Sequence, residues 1–275
     1  MLKKLLRYDF KAIFKFWWIA VVVNFVLSIY GGFLQQIENY NEKLAETLYD
    51  LLGLSLFMVN CSYVALVLVT LVLIFIRFYQ NFFTDEGYLT FTLPVSRSQL
   101  LNSKVISGIG TLLASVAVCG VNLIIKNTIA WWPELVNGTA FREDSAYIAE
   151  EMNTMGTYFW IYSLEALLLV VVLVILAVMI LYFCITFGSM IVKKGKLILS
   201  IVLCYLIPNV ISTIGVFSMI FWAFGFNLLF AFESASDKDP ITALILLGLI
   251  FYGGMLSGLL YSLIYRMLDK KLNLS

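Results

Sequence analysis

Six times this chain runs for about twenty residues or more through apolar side chains with almost no charge. Nothing else in the sequence constrains the fold as much. About 20 residues of helix, at 1.5 Å each, cross the roughly 30 Å hydrocarbon core of a bilayer. Backbone in lipid must satisfy its own hydrogen bonds, so each run reads as a helix. The runs are about Phe16–Leu34, Leu52–Ile76, Lys104–Ile125, Tyr158–Phe187, a fifth from near Leu197, and Ile241–Tyr265. The chain is 62% hydrophobic and 13% charged, against about 45–50% and about 25% in soluble domains. Its 275 residues leave no room for a separate soluble domain of ordinary size. The expectation is an all-α membrane protein, residues 1–275 forming a single transmembrane domain of six helices.

The fifth run is too long. Leu197–Phe232 holds 36 residues without a charge, about 54 Å as one straight helix. Pro208-Asn209, Gly215 and Gly225 offer places to break it. The basic residues choose among the topologies. With six spans and both termini cytosolic, 14 of the 18 Lys and Arg fall inside. Only Lys43, Lys126, Arg142 and Lys238 fall outside, as the positive-inside rule wants. A seventh crossing would put Arg266, Lys270 and Lys271 outside. The second half of the run is therefore expected to re-enter from outside, over 218–240. The localisation that follows is the cytoplasmic membrane, multi-pass.

Several chemistries are excluded. The chain has no histidine, which removes Ser-His and Cys-His catalysis and the commonest metal ligand. Cys61, Cys119, Cys184 and Cys204 all sit in apolar stretches and form no CxxC pair. No GxxxxGK[ST] motif is present, so the chain cannot hold ATP in a P-loop. Nothing suggests a catalytic or metal site, or a nucleic-acid partner. The basic N-terminus leads into an apolar run without a small-x-small cleavage site, so that run reads as a retained span.

Residues 1–15 alternate on a helical period. Leu2, Leu5, Leu6, Ile13 and Phe14 fall near one face, with Lys3, Lys4, Arg7, Lys11 and Lys15 mostly on the other. That pattern predicts an amphipathic helix on the cytosolic membrane surface, turning into the first span. The outer loops are acidic, and the largest covers 127–157. Trp131-Trp132-Pro133 at its start looks like an interfacial anchor.

The polar interruption over 77–104 is the most informative segment. Phe82 and Phe83 precede Asp85-Glu86, Gly87 permits a sharp turn, and Leu93-Pro94 should be extended. Ser96-Arg97-Ser98-Gln99 then reads as a capping box opening the next helix. Exposed Phe82, Phe83, Tyr88 and Phe91, rimmed by charge, would suit a soluble partner.

Within the spans, Glu165 is the one acid in an apolar run, a functional candidate by default. Asn24, Asn60 and Asn122, with scattered Ser and Thr, either bond neighbouring helices or line a path. Glu165, Asn24, Asn60 and Asn122 are the candidate transport-path residues. Gly254-x-x-x-Gly258 and Gly110-x-x-x-Ala114 would allow close helix contact.

This layout resembles the membrane subunit of a type-two ABC exporter. The likeness in layout covers the whole chain. In sequence it lies in Asp85-Glu86-Gly87-Tyr88-Leu89-Thr90-Phe91-Thr92-Leu93-Pro94-Val95-Ser96, similar to the cytosolic segment of many such Gram-positive bacterial permeases. The resemblance implies a coupling helix there, with Phe82, Phe83, Asp85, Glu86, Gly87, Tyr88 and Phe91 docking on a separate P-loop ATPase. ATP and Mg would bind that partner and no cofactor this chain. It also implies a second permease subunit, identical or a sister chain, and cargo such as peptides, toxins, drugs or lipid-linked molecules. The outer loop after the third span is longer than a minimal member needs. Two other classes stay open: a secondary transporter or channel, and a non-transporting sensor or immunity protein.

Overall fold

The computed structural model describes residues 2–41, 48–84, 96–137, 146–147, 149–150, 156–192, 195–230 and 239–272. Among them the chain is helical throughout: α1 Leu2–Tyr40, α2 Tyr49–Phe83, α3 Arg97–Ala130, the short α4 Trp132–Asn137, α5 Thr157–Ile191, α6 Lys196–Phe230 and α7 Asp239–Leu272. All but α4 are long and apolar enough to cross a membrane. The six-helix expectation holds, in the expected order.

Five of the long helices outrun the apolar runs that predicted them, and α6 about matches its run. The six long ones have 34 to 39 residues, about 50 Å or more each. Helical residues flank each of those five runs on both sides. Residues 1–15 show this best. No glycine or proline occurs before Gly31, so α1 passes from Leu2 to Tyr40 without a break. The separate surface helix that turns into the first span is therefore not what forms. The amphipathic pattern itself is real: Lys3, Lys4, Arg7, Lys11 and Lys15 are exposed and Ile13 is buried.

The fifth span departs from expectation in the same way. α6 runs unbroken through Pro208, Gly215 and Gly225 to Phe230. A fold-back inside that stretch would need a break that the helix does not have. The proline removes one backbone donor, and polar side chains just after it bond carbonyls of the same helix. Asn209 Nδ2 donates to the Tyr205 carbonyl at 2.6 Å, and Thr213 Oγ1 donates to the Asn209 carbonyl at 2.7 Å. The rest of the re-entrant segment, 231–238, lies outside the described residues.

The chain divides into two compact units. The first holds Lys3–Arg77 and Gly110–Thr154; the second holds the remainder. In the first, α1 runs antiparallel to α2 and parallel to α3, with glycines where backbones come close. A Cβ on Gly31 would lie 2.6 Å from Val59, and one on Gly32 would lie 2.9 Å from the Lys126 carbonyl oxygen. In the second, α5 packs on both α6 and α7. Gly188 meets Ser200 of α6, and Gly253 of α7 meets Val172. Gly110 abuts Phe10, whereas Gly254 and Gly258 touch nothing within 4 Å. Among the described residues nothing packs against the glycine pair on α7.

Candidate functional site

The first unit carries a seam of buried polar groups. Its centre is a chain of amides: Asn122 Nδ2 donates to Asn24 Oδ1 at 2.7 Å, and Asn24 Nδ2 donates to Ser62 Oγ at 2.9 Å. Asn24 and Asn122 are both only 2% exposed. Toward the start of α1, Trp17 Nε1 donates to Ser115 Oγ at 2.7 Å, and Thr70 shares a hydroxyl bond with the same oxygen. Further along the same way, Arg77 Nε stands 3.9 Å from the buried Asp9 carboxylate. Toward the other end, Lys126 Nζ donates to Asn60 Oδ1 at 3.1 Å. A seam of this kind holds helices together where burial in lipid supplies no hydrophobic drive.

The three asparagines singled out in sequence therefore fall on one seam, two of them bonded to each other. Asn24 uses both ends of its amide within the chain, and Asn122 and Asn60 use one each, so all three act as fastenings. Glu165 is not part of the seam. It belongs to the second unit, is 3% exposed, and its Oε2 has no hydrogen-bond partner among the described residues.

Sequence reasoning missed Asp9, which sits hidden within a basic helix, and Lys126, assigned to an outer loop. α3 continues past Ile125 to Ala130, which carries Lys126 into the bundle, where it is buried. The signal was present in spacing. Thr111, Ser115, Cys119, Asn122 and Lys126 recur at intervals of four, four, three and four on α3. Tyr63, Thr70 and Arg77 recur every seven on α2. Both spacings put the residues on one helix face.

Between α1 and α3 the same unit leaves an apolar groove of about 440 Å³, lined by Trp18, Val22, Phe25, Val118 and Val121. Asn122 also borders it, but its amide is already bonded to Asn24. The groove suits hydrocarbon.

The second unit holds the two flanks of the polar interruption, the end of α2 and the start of α3. Here Phe78 stacks on Tyr182 of α5, with ring centroids 3.9 Å apart and planes at 12°. Tyr182 Oη donates to the Lys104 carbonyl at 2.9 Å. On α7, Tyr261 Oη donates to Asn102 Oδ1 at 2.7 Å. Two tyrosines from different helices thus hold the first turns of α3, and one of them also grips the last turns of α2. α3 begins at Arg97, as the Ser96 cap predicts, and the Ser96 carbonyl accepts the Leu100 N–H at 3.1 Å.

This geometry corrects the reading of two aromatics. Phe82 is only 5% exposed and packs on Phe78, ring centroids 4.9 Å apart. Phe83 is half-buried beside Phe78 and Tyr79. Neither is an exposed knob, because α2 continues to Phe83 and carries both into the helix packing. Asp85, Glu86, Gly87, Tyr88 and Phe91 lie outside the described residues.

Comparison with known proteins finds no relative: no protein-family model, no curated protein and no solved structure matches the chain. What fold and site define is a six-helix membrane protein with a polar seam in one unit and a tyrosine clasp in the other.

Proposed function

We propose that the chain is the permease subunit of an ATP-driven exporter, powered by a separate ATPase that docks on the segment between α2 and α3. The observation that supports this most is the clasp. A segment that receives a push is useful only if its flanks are fastened to helices that must move. Phe78, Asn102 and the Lys104 backbone are held by Tyr182 of α5 and Tyr261 of α7. The sequence contains no P-loop motif, which supports an ATP site on a separate chain. With both termini cytosolic, the segment faces the compartment where ATP is. The cargo class that fits is amphipathic, such as a peptide, toxin or drug. A second permease subunit would complete the path. Phe82 and Phe83 belong in this reading to the transmission behind the docking surface, not to the surface itself.

The test is copurification followed by uncoupling. A stoichiometric P-loop ATPase should accompany the chain out of gentle detergent. Replacing Glu86, Gly87 or Tyr88 should then let ATP hydrolysis continue while transport falls, with the protein still in the membrane. Normal transport by all three variants, or no ATPase under gentle conditions, sinks the proposal.

A further inference from the structure

We propose that Lys126 and Asn60 form a binding site for the phosphate group of an anionic membrane lipid. Lys126 is 8% exposed, yet among the described residues no carboxylate lies within ion-pair distance of it. The other buried charge described in this unit sets the contrast, because Asp9 has Arg77 at 3.9 Å. The partner Lys126 does have is neutral: Asn60 Oδ1 accepts one of its N–H groups at 3.1 Å. An ammonium carries three donors, so two remain. A buried cation with a neutral partner is costly unless an anion or water completes its shell.

The way in is from the bilayer side. Asn60 is itself exposed, and around it on α2 stand Phe57, Met58 and Val64, each more than 60% exposed. An anion reaching this spot along that face comes through lipid. The depth suits a headgroup. Lys126 lies four residues before the end of α3, about 6 Å along the axis. Exposed Trp131 and Trp132 follow at once, as interfacial aromatics do. Helices of about 50 Å extend some 10 Å past each face of a 30 Å hydrocarbon core. That leaves Lys126 close to the hydrocarbon edge, within reach of a lipid phosphate. Phosphate oxygens accept from the two spare N–H groups, and the phosphate charge neutralises the ammonium.

The experiment reconstitutes the purified full chain in nanodiscs of mixed phosphatidylglycerol and phosphatidylcholine. After mild delipidation, retained lipid is counted by native mass spectrometry. Wild type should keep phosphatidylglycerol over phosphatidylcholine. Lys126→Gln should reduce that preference about fivefold, the factor one basic residue contributes toward an anionic lipid. Lys126→Arg should keep it. Asn60→Asp supplies a carboxylate at the same spot, and should abolish the preference while leaving the protein folded. That variant keeps the test open if Lys126→Gln does not fold. Added inorganic phosphate should not displace the lipid; displacement would mean a free-anion site and overturn the proposal. So would phosphatidylglycerol retention unchanged in Lys126→Gln and Asn60→Asp, the result expected if a carboxylate from another membrane chain fills the site.

Discussion

Asn24 uses both ends of its amide inside the first unit. Its carbonyl takes the Asn122 N–H and its own N–H goes to Ser62, so one side chain ties α1 to both α2 and α3. Hydrogen bonds between membrane helices are worth about 0.6 kcal/mol on average and at most about 1.7. Losing two, with the Asn122 amide left buried and unpaired, should cost Asn24→Ala roughly 1–3 kcal/mol. Asn122→Ala removes one of the same bonds, so the double variant should cost clearly less than the sum of the two singles. Thermal or denaturant unfolding in detergent, run as a double-mutant cycle, reads this directly. Additive costs would mean that the two amides do not depend on each other. Glu165 stands at the opposite extreme, equally buried but with Oε2 unpartnered. That oxygen bonds nothing among the described residues, and Glu165 remains a candidate for the transport path.

At the scale of the helix, glycine decides how close neighbours come. A Cβ on Gly188 would sit 2.6 Å from Ser200 Oγ and 3.0 Å from the Ser200 backbone nitrogen. The hydroxyl could turn away, but the backbone cannot. Gly188→Ala should therefore push α5 from α6 and cost about 1–3 kcal/mol as overpacking. Gly254→Ala and Gly258→Ala meet open space among the described residues and should not destabilise the isolated chain. A thermal-shift series on the three variants checks the ranking, and equal losses would contradict it. This contrast also marks where sequence stops being readable. A small-xxx-small spacing names a smooth patch on a helix without saying whether anything lies against it, and the pair at Gly254 is free while lone Gly188 is pressed. Helix number and order were legible because hydrocarbon thickness dictates the length of an apolar run. Helix ends were not, since no glycine or proline stops α1 at Phe16, and α6 runs on through Pro208. The seam was legible only as spacing. Partners such as Lys126 and Asn60 are set by helix rotation, which hydropathy does not report.

Over the whole molecule, α2 and α3 each contribute to both compact units, and the polar interruption joins them. Its described flanks carry Phe78, Asn102 and Lys104, and these are the points that Tyr182 and Tyr261 hold. The two hydroxyls can be removed while the rings stay. Tyr182→Phe keeps the stack on Phe78 and loses the bond to the Lys104 carbonyl; Tyr261→Phe loses the bond to Asn102. Each should cost about 1 kcal/mol of stability or less, so both variants should reach the membrane folded. If the clasp transmits the stroke of an ATPase, the double variant should still bind the ATPase and hydrolyse ATP. It should move less cargo for each ATP consumed. A clasp that only stabilises would instead lower the amount of complex and leave the ratio of transport to hydrolysis unchanged. Measuring that ratio in proteoliposomes, alongside complex yield, separates the two roles. A ratio equal to wild type would leave the two hydroxyls as structural ties, and the route from the segment to α5 would have to run through the stack of Phe78 on the ring at position 182.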